Sequence, residues 1–271
     1  VNKGRIKPCY RLAIGDRVRI PPIRMSQPEE HEGPARSVLE RLQQAIMFED
    51  DEFLIINKYA GIAVHGGSGI TYGVIEGLRA LRPDAPFLEL GHRLDRATSG
   101  CLVVAKKRSA LRNFQKQLTE GGVAKHYLAL VAGEWQGGQQ TIRAPLMKNQ
   151  LQSGERIVRV DRAGKDAISI FTPVEYYELA TLMRVTLITG RTHQVRVHAQ
   201  HSRHPIAGDD KYGDTAFNQQ MAQCGINRLF LHAVSLRFTI PELQTYQFEA
   251  PLDPVLQQAL TRLTRRDNAP L

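Results

Sequence analysis

At residues 91–100 the chain reads Gly91-His92-Arg93-Leu94-Asp95-Arg96-Ala97-Thr98-Ser99-Gly100. This stretch holds one carboxylate, two arginines, one histidine and two hydroxyls, and an apolar run, 101–105, follows at once. Charged residues are seldom buried unless they are paired, and Asp95 lies between two cations just before a segment predicted to be a core strand. The arrangement suits a carboxylate kept ionised by nearby guanidinium groups. The alternative is a surface loop with a solvated salt bridge.

Composition narrows the classes of protein. The chain has 271 residues, of which 42% are hydrophobic, so we expect one large domain with or without a small module, and no global disorder. The net charge of +9 favours a polyanionic partner such as nucleic acid. No run of 18 apolar residues exists, so we expect no membrane span. Three scattered cysteines fit a reducing cytoplasm and argue against a cysteine zinc site.

Positive charge is concentrated next to Asp95. Between Gly91 and Lys125 there are eight Lys and Arg against two acids, an excess of six within a chain whose total is +9. Part of this charge lies on one face of a helix that we expect to begin with Ser109 as its cap and to end at Gly121. The pattern predicts a cleft that binds phosphates, with six candidate nucleic-acid contacts: Arg93, Arg96, Arg108, Arg112, Lys116 and Lys125.

Hydrophobic periodicity indicates a mixed α/β chain. The helical segments are 39–46, 73–81, 109–121, 193–201 and 256–263. The strand segments are 46–48, 53–56, 101–105, 124–132, 181–188, 229–233 and 236–238. A Gly- and Gln-rich stretch, 133–164, is predicted to be an exposed excursion of the sheet. Strand alternation places Lys125 and Tyr127 on the same face of their strand.

Three blocks, in this order along the chain, resemble the signatures of the RluA family of RNA pseudouridine synthases: 57–65, 92–100 and 190–198. The pair Lys125-x-Tyr127 resembles a further block, and the resemblance extends from about Leu39 to Leu256. It implies an α/β fold of the α+β type, with a mixed, mainly antiparallel, bisected sheet, flanking helices and a cleft between the halves. It also implies that the block at 57–65 frames the site. Details of the blocks resemble the branch of the family that acts on large-subunit (23S) ribosomal RNA.

The resemblance further implies roles for individual residues. Asp95 is expected to be the nucleophile, Arg191 to pair with it, and Tyr127 to stack on the target base and to be the nearest candidate base for the C5 proton. The isomerisation breaks the N1–C1′ bond and joins C5 to C1′ without redox change, so we expect no cofactor. Attack at C1′ and attack at C6 of uracil both remain open. The target base must leave its stack, and Arg93 is expected to fill the vacated space.

The first 20 residues carry six cations against one acid, Asp16, and are predicted to form short strands around Arg5 and Arg17 with a turn at Gly15. They resemble the tail end of an S4 RNA-binding module, and the alternative is an ordinary basic hairpin. We expect domains at 1–21 (S4-like), 22–36 (flexible linker), 37–263 (catalytic) and 264–271 (tail). Because residue 1 is Val1, we expect the natural protein to begin upstream or to be processed.

Rival functions remain open at this point. Four histidines, 193, 198, 201 and 204, do not reproduce a zinc motif and have no Glu among them, so we expect no metal. Phosphate-loop, dinucleotide and serine-hydrolase motifs are absent. A noncatalytic RNA-binding protein and a uridine nucleosidase-type hydrolase are the two alternatives. We expect RNA as partner, no membrane, a cytoplasmic location and a monomer.

Overall fold

The computed structural model describes residues 1–2, 4–6, 9–19, 33–67, 71–150, 156–240 and 244–266. The chain divides into two units, Val1–Glu32 and Gly33–Leu271. The first unit contains the predicted turn, in which the Asp16 N–H donates to the Ala13 carbonyl and the Asp16 carboxylate accepts from the Ala13 N–H.

The predicted strands of the first unit are wrong for its described residues, which form no strand. Their apolar side chains, among them Leu12 and Val18, stay exposed, so no strand face is buried, and a lone hairpin is marginal without such burial. Lys3, Lys7, Pro8 and most of the predicted linker, 22–32, lie outside the described residues. The S4-like assignment therefore stays a prediction.

The second unit contains both helices and strands. The helices are α1 (Arg36–Gln44), α2 (Val74–Leu81), α3 (Arg108–Glu120), α4 (Gln194–His201), α5 (Thr215–Gln223) and α6 (Pro254–Thr261). The first six strands are β1 (Ile46–Glu49), β2 (Phe53–Lys58), β3 (Glu89–Leu90), β4 (Ser99–Ala105), β5 (Ala124–Ala132) and β6 (Gln140–Arg143). The others are β7 (Leu146–Gln150), β8 (Arg156–Val160), β9 (Ile168–Tyr176), β10 (Ala180–Leu187), β11 (Leu231–Ile240) and β12 (Gln244–Glu249). The strands β5 to β10 follow one another without a helix between them among the described residues.

Ten strands of the described residues form one sheet, in the order β1-β2-β4-β11-β5-β10-β9-β6, with β12 on β11 and β3 on β4. The pairs are antiparallel except β4 with β11, which run parallel. That parallel ladder has two residue pairs, Ser99 with His232 and Gly100 with Ala233. A short ladder thus joins two antiparallel halves, and the predicted mixed, mainly antiparallel sheet is confirmed. The Asp95 loop enters the sheet at this junction.

Gly100 is required where the two halves meet. Its φ is +111°, and a Cβ at this position would lie 2.3 Å from the carbonyl oxygen of Ala233. Only glycine tolerates both that backbone conformation and the close approach of β11. The glycine that ends the stretch 91–100 therefore lets the two halves join directly behind Asp95.

Strands β2 and β4 are buried on both faces, which explains their continuous apolar sequence. On one face, Leu54 and Val104 belong to the core that includes α1 and α2. On the other, Phe53 and Val103 pack with Phe114 of α3. The Asp95 loop is therefore anchored to a strand that cannot shift without opening two cores.

Two local predictions about these elements need correction. Helix α3 begins at Arg108 with Lys107 as its cap residue and no side-chain cap bond, so Ser109 is not the cap; the predicted end is confirmed, because Gly121 adopts the left-handed conformation there. The two late strands are one strand, β11, with a register irregularity between His232 and Ser235. A bulge separates two apolar runs without ending a strand.

The predicted exposed excursion at 133–164 is only partly exposed. Strand β6 joins the main sheet, whereas β7 and β8 form a separate two-stranded sheet. Leu146 and Val158 of that small sheet pack with Val197 of α4 and with Tyr212. The apolar residues of β7 and β8 are too few among the polar ones for the sequence pattern to predict this additional small core.

No helix within the described ranges combines the length and apolar character needed to cross a membrane.

Candidate active site

A cavity of about 510 Å³ lies where the Asp95 loop meets the start of β5, the end of β10 and the first turn of α4. Five of the residues predicted from the sequence line it: Arg93, Asp95, Lys125, Tyr127 and Arg191. Four predicted RNA contacts are exposed elsewhere on the surface and do not line it: Arg96, Arg108, Arg112 and Lys116.

Lys58 at the end of β2 holds the Asp95 loop from behind. Its side chain is fully buried, and its ammonium group donates to the carbonyls of Tyr59, Ile62 and Arg96. Burial lowers the pKa of Lys58 to about 7, while the negative charge of Asp95 opposes that shift. The contacts tie the first family-like block to the loop, which agrees with the framing role expected for that block.

Arg96 adds to the same attachment. Its Nε donates to the Gly61 carbonyl at 2.8 Å, and the Gly61 N–H donates to the Arg96 carbonyl at 2.8 Å. This reciprocal pair turns the Arg96 side chain toward the 57–65 block, so it contributes to the loop's conformation. Its predicted contact with RNA stays a prediction.

The cation next to Asp95 is Arg196, not Arg191. Arg196 Nη1 lies 3.7 Å from Asp95 Oδ2, and the Asp95 side chain is 19% exposed. Arg191 also lines the cavity, but its Nε donates to the Asp166 carbonyl at 3.0 Å. Among the described residues it has no ion pair with Asp95, so the predicted pairing is wrong. Arg191 lies in the turn before α4, whereas Arg196 lies within the helix and faces the loop.

Arg196 is itself fixed by a second carboxylate. Its Nε and Nη2 donate to the two oxygens of Asp209 at 2.8 Å and 2.7 Å, and both side chains are buried. Such a planar fork is available only to arginine. Burial raises the pKa of the Asp209 carboxyl, but the hydrogen bonds from Arg196 outweigh this and hold it below its usual value. Arg196 therefore stays charged and keeps a constant position.

His193 and Tyr212 form a second chain of contacts that leads to Asp95. His193 Nε2 lies 3.8 Å from Asp95 Oδ2, and its Nδ1 is 2.8 Å from the Tyr212 hydroxyl. That hydroxyl accepts from the Val158 N–H at 2.9 Å. Burial lowers the pKa of His193, against the attraction of Asp95 and with the repulsion of Arg196, so the imidazole is neutral at pH 7.

The turn that places His193 is strained and well supported. His193 has a φ of +54°, which is unusual for a residue other than glycine. Buried Gln194 supports the turn, because its Oε1 accepts from the Arg191 N–H and the Thr189 hydroxyl. Its Nε2 donates to the Ile168 carbonyl and the Ser169 hydroxyl. Strain of this kind persists only where the surroundings enforce it, and it is common at active sites.

Tyr127 contributes to the floor of the cavity. It is 7% exposed, and its neighbour across β10 is Val185. Burial, with the charge of Asp95 adding to it, raises the pKa of the Tyr127 phenol. The phenol therefore keeps its proton at neutral pH. Lys125 lies on the same face, as predicted, and burial lowers the pKa of its ammonium group.

Besides His193, two of the four histidines considered in the sequence contact protein groups. His198 contacts the Ser169 hydroxyl and the Ala144 carbonyl, and His204 contacts the Ala132 carbonyl. Within the described ranges, no three His, Cys, Asp or Glu side chains are grouped so that they could hold a metal ion.

The sequence analysis missed four residues of the site: His193, Arg196, Asp209 and Tyr212. One signal was available, because Arg196 stands between Val195 and Val197 in a predicted helix, and a cation in an apolar segment requires a partner. His193 is the residue directly before helix α4, and its left-handed conformation has no signal in the sequence pattern. The partner Asp209 comes from a distant loop, and nothing in the local pattern identifies it.

Comparison with known proteins agrees with this geometry. Residues 52–201, more than half of the chain, match the sequence model of the family described as RNA pseudouridylate synthase. The chain belongs to this family of RNA-modifying isomerases. It is similar to the ribosomal large subunit pseudouridine synthase C of Pasteurella multocida, with 55% identity over 99% of this chain and 83% of the relative. For the protein of that name from Escherichia coli K12, the identity is 55% over 97% and 84%.

Solved structures show the same relationship. Human RNA pseudouridylate synthase domain containing 1 superposes with a TM-score of 0.68 at 25% identity, covering 82% of this chain and 88% of that one. Human RNA pseudouridylate synthase domain containing 4 gives a TM-score of 0.68 at 25% identity, with 83% and 95% covered.

Proposed function

We propose that this chain isomerises specific uridines to pseudouridine in the 23S RNA of the large ribosomal subunit. One observation carries the reaction: Asp95 lines a cavity, and Arg196, fixed by Asp209, lies 3.7 Å from its carboxylate. The names of the relatives support the choice of large-subunit RNA. The basic charge concentrated around the cavity is suited to a phosphate backbone.

In the proposed reaction the target uridine leaves its stack and enters the cavity. The Asp95 carboxylate attacks C1′ of the ribose or C6 of the uracil, the N1–C1′ bond breaks, and the base turns. C5 then bonds to C1′ and the bond to Asp95 breaks. The proton on C5 is lost to water and N1 takes up a proton from water, so that substrate and product have the same atoms. Arg196 is proposed to direct the oxygens of Asp95 throughout, because its Nη1 lies 3.7 Å from Asp95 Oδ2.

Tyr127 is proposed to stack on the flipped uracil, a contact worth about 1–3 kcal/mol. Its raised pKa supports this role over that of a base, because a protonated phenol cannot accept the C5 proton. Arg93, Lys125 and Arg191 are proposed to bind phosphates next to the target, since all three line the cavity. The four exposed cations outside the cavity are proposed to contact flanking RNA.

The proposal extends to the setting of the reaction. The catalytic domain is assigned to 37–263 and an S4-like remnant to 1–21, joined by a linker at 22–36 and followed by a tail at 264–271. One chain supplies all the site residues named above, so the proposal requires only a monomer. A cytoplasmic location is supported by the ribosomal RNA substrate and by three free cysteines.

The test is to incubate the protein with a transcript of large-subunit ribosomal RNA, digest the RNA to nucleosides, and quantify the products by mass spectrometry. We expect pseudouridine to appear in the amount by which uridine falls, with no free uracil. Free uracil would indicate the nucleosidase. Binding without either product would indicate a noncatalytic RNA-binding protein.

A further inference from the structure

A second cavity, of about 410 Å³, adjoins the active-site cavity. It lies between the end of α3, the start of β5, the end of β10 and the last part of β11. Leu187 and Ile188 line both cavities, so the two spaces meet at a shared wall at the end of β10. None of the steps described above uses this second space.

We infer that the second cavity is a subsite for the nucleotide next to the target uridine on the same RNA strand. The inference rests on the proposed function and specifies more of its substrate. Ligand cavities usually enclose about 300–1,000 Å³, so the space suits a single nucleotide. A strand whose uridine occupies the first cavity continues on both sides of that uridine, and the second cavity lies directly beyond the shared wall.

The shared wall has the chemistry that an unstacked base requires. Ile188 is 54% exposed although it is a large apolar side chain, and its exposed surface lies at the junction of the two cavities. Single-stranded RNA is recognised mainly by contacts to the faces and edges of splayed bases. A base lying against Ile188 covers apolar surface that is otherwise in contact with water.

The charge of the residues that line the second cavity favours a nucleotide over an apolar or cationic ligand. Arg237 is exposed and lines the second cavity, whose lining includes no carboxylate among the described residues. Within those same residues Arg237 has no ion pair, so its guanidinium is free to bind a phosphate. Lys125 and Arg191 line the first cavity, which places cations on both sides of the shared wall. A phosphate joining two bound nucleotides would pass between them.

The experiment combines protein variants with modified substrates. The variants are Ile188→Asp and Arg237→Gln. Their matched controls are Val174→Asp on β9, an apolar side chain that is 45% exposed, and Arg184→Gln on β10, an exposed arginine; neither control residue lines a cavity. The substrates are one short RNA with the target uridine and its derivatives with an abasic residue at each flanking position. Pseudouridine formation is followed as KM and kcat.

On the intact RNA we expect both variants to raise KM by about tenfold, with kcat within about twofold. The cause is the loss of one base contact in Ile188→Asp and of one phosphate contact in Arg237→Gln. On the RNA that is abasic at one particular neighbour, the KM difference between Ile188→Asp and the wild type should be much smaller than on the intact RNA, because only repulsion between the aspartate and the phosphate is left. The controls should behave as the wild type on every substrate. An unchanged KM for both variants, or an Ile188→Asp effect that persists on every abasic RNA, would overturn the subsite and leave the proposed function standing. Absence of pseudouridine with the wild type would overturn both.

Discussion

The loop that carries Asp95 and the loop that carries Asp209 both face Arg196, but they present their carboxylates differently. Asp209 is buried and accepts two short hydrogen bonds, at 2.7 Å and 2.8 Å, from the guanidinium fork. Asp95 is partly exposed to the cavity and lies 3.7 Å from the same guanidinium. One arginine thus has a tight partner away from the reaction and a loose partner within it.

This difference corresponds to two roles: one carboxylate holds Arg196 in place, and the other is proposed to react with the substrate. A buried bidentate pair loses much of its stability when one partner is removed, because a charge is left buried and unpaired. A nucleophile needs the opposite, which is an ionised oxygen that a substrate can reach. Asp209 therefore serves as a positioning residue that fixes Arg196, and Asp95 keeps an accessible carboxylate beside a charge of constant position.

Among changes to the residues around Asp95, the largest effect is expected for Arg196→Met. It leaves Asp209 buried without its cation, which should lower the free energy of unfolding by about 3–5 kcal/mol. It also removes the charge beside Asp95, and we expect kcat to fall by at least about 10²-fold. Urea denaturation and pseudouridine formation measure the two effects. Arg196→Lys should recover little of either, because lysine lacks the fork. Near wild-type kcat for Arg196→Lys would show that only a positive charge is needed.

Asp209→Asn should cost less, because the amide preserves shape and one acceptor. We expect a loss of about 3 kcal/mol in the free energy of unfolding and a kcat reduced about tenfold as Arg196 loses its fixed position. Glu49→Gln is the control, since Glu49 forms a similar fork with Arg82 outside the cavity. It should lower stability without lowering kcat in the folded protein. Equal kcat losses in both variants would remove the positioning role from Asp209.

Tyr212→Phe tests the second chain of contacts, which leads from Tyr212 through His193 to Asp95. The change leaves the Val158 N–H and His193 Nδ1 without their partner, at a cost of about 1–3 kcal/mol. We expect kcat to fall by a few-fold while KM stays constant, because His193 is less firmly held. Tyr246→Phe is the matched control: its hydroxyl bonds Asp50, and kcat should not change. A Tyr212→Phe enzyme with wild-type kcat would leave Tyr212 a purely structural role.

Arg191→Lys should have the smallest effect, although the sequence made Arg191 the predicted partner of Asp95. A lysine at the edge of the cavity still offers a positive charge to a phosphate, so we expect kcat to be unchanged and KM to rise by less than about threefold. Steady-state kinetics at two salt concentrations would measure this. A kcat loss comparable with that of Arg196→Lys would restore Arg191 to the catalytic centre.

The sequence revealed the parts of the site whose signal is local. Each of these parts is a short segment that its own residues identify. They are the Asp95 loop, the strand with Lys125 and Tyr127 on one face, and the helix beyond Arg191. The mainly antiparallel sheet followed from the resemblance to a family, and the strand patterns alone gave only a mixed α/β chain. Gly100 shows the limit of prediction from sequence. The requirement for glycine at this position becomes clear only when Ala233, far along the chain, packs against it.

The misassigned arginine has a physical explanation. The family resemblance implied Arg191 as the partner of Asp95, and Arg191 lies in a turn between a strand and a helix, where functional groups often occur. The choice between Arg191 and Arg196 depends on where the Asp209 loop packs, and that loop follows helix α4 through contacts without a periodic signature. The unused indication was the burial implied by the two valines around Arg196, which requires a counter-charge.

The most direct test of the account compares the wild type with Asp95→Asn on RNA that carries tritium at C5 of the target uridine. Joining C1′ to C5 expels that hydrogen, so the wild type should release tritium to water without freeing uracil. Asp95→Asn should release none, because the amide cannot act as the nucleophile. It should still bind the RNA, since the surrounding cations are unchanged. Tritium release by Asp95→Asn at the wild-type rate would contradict the account.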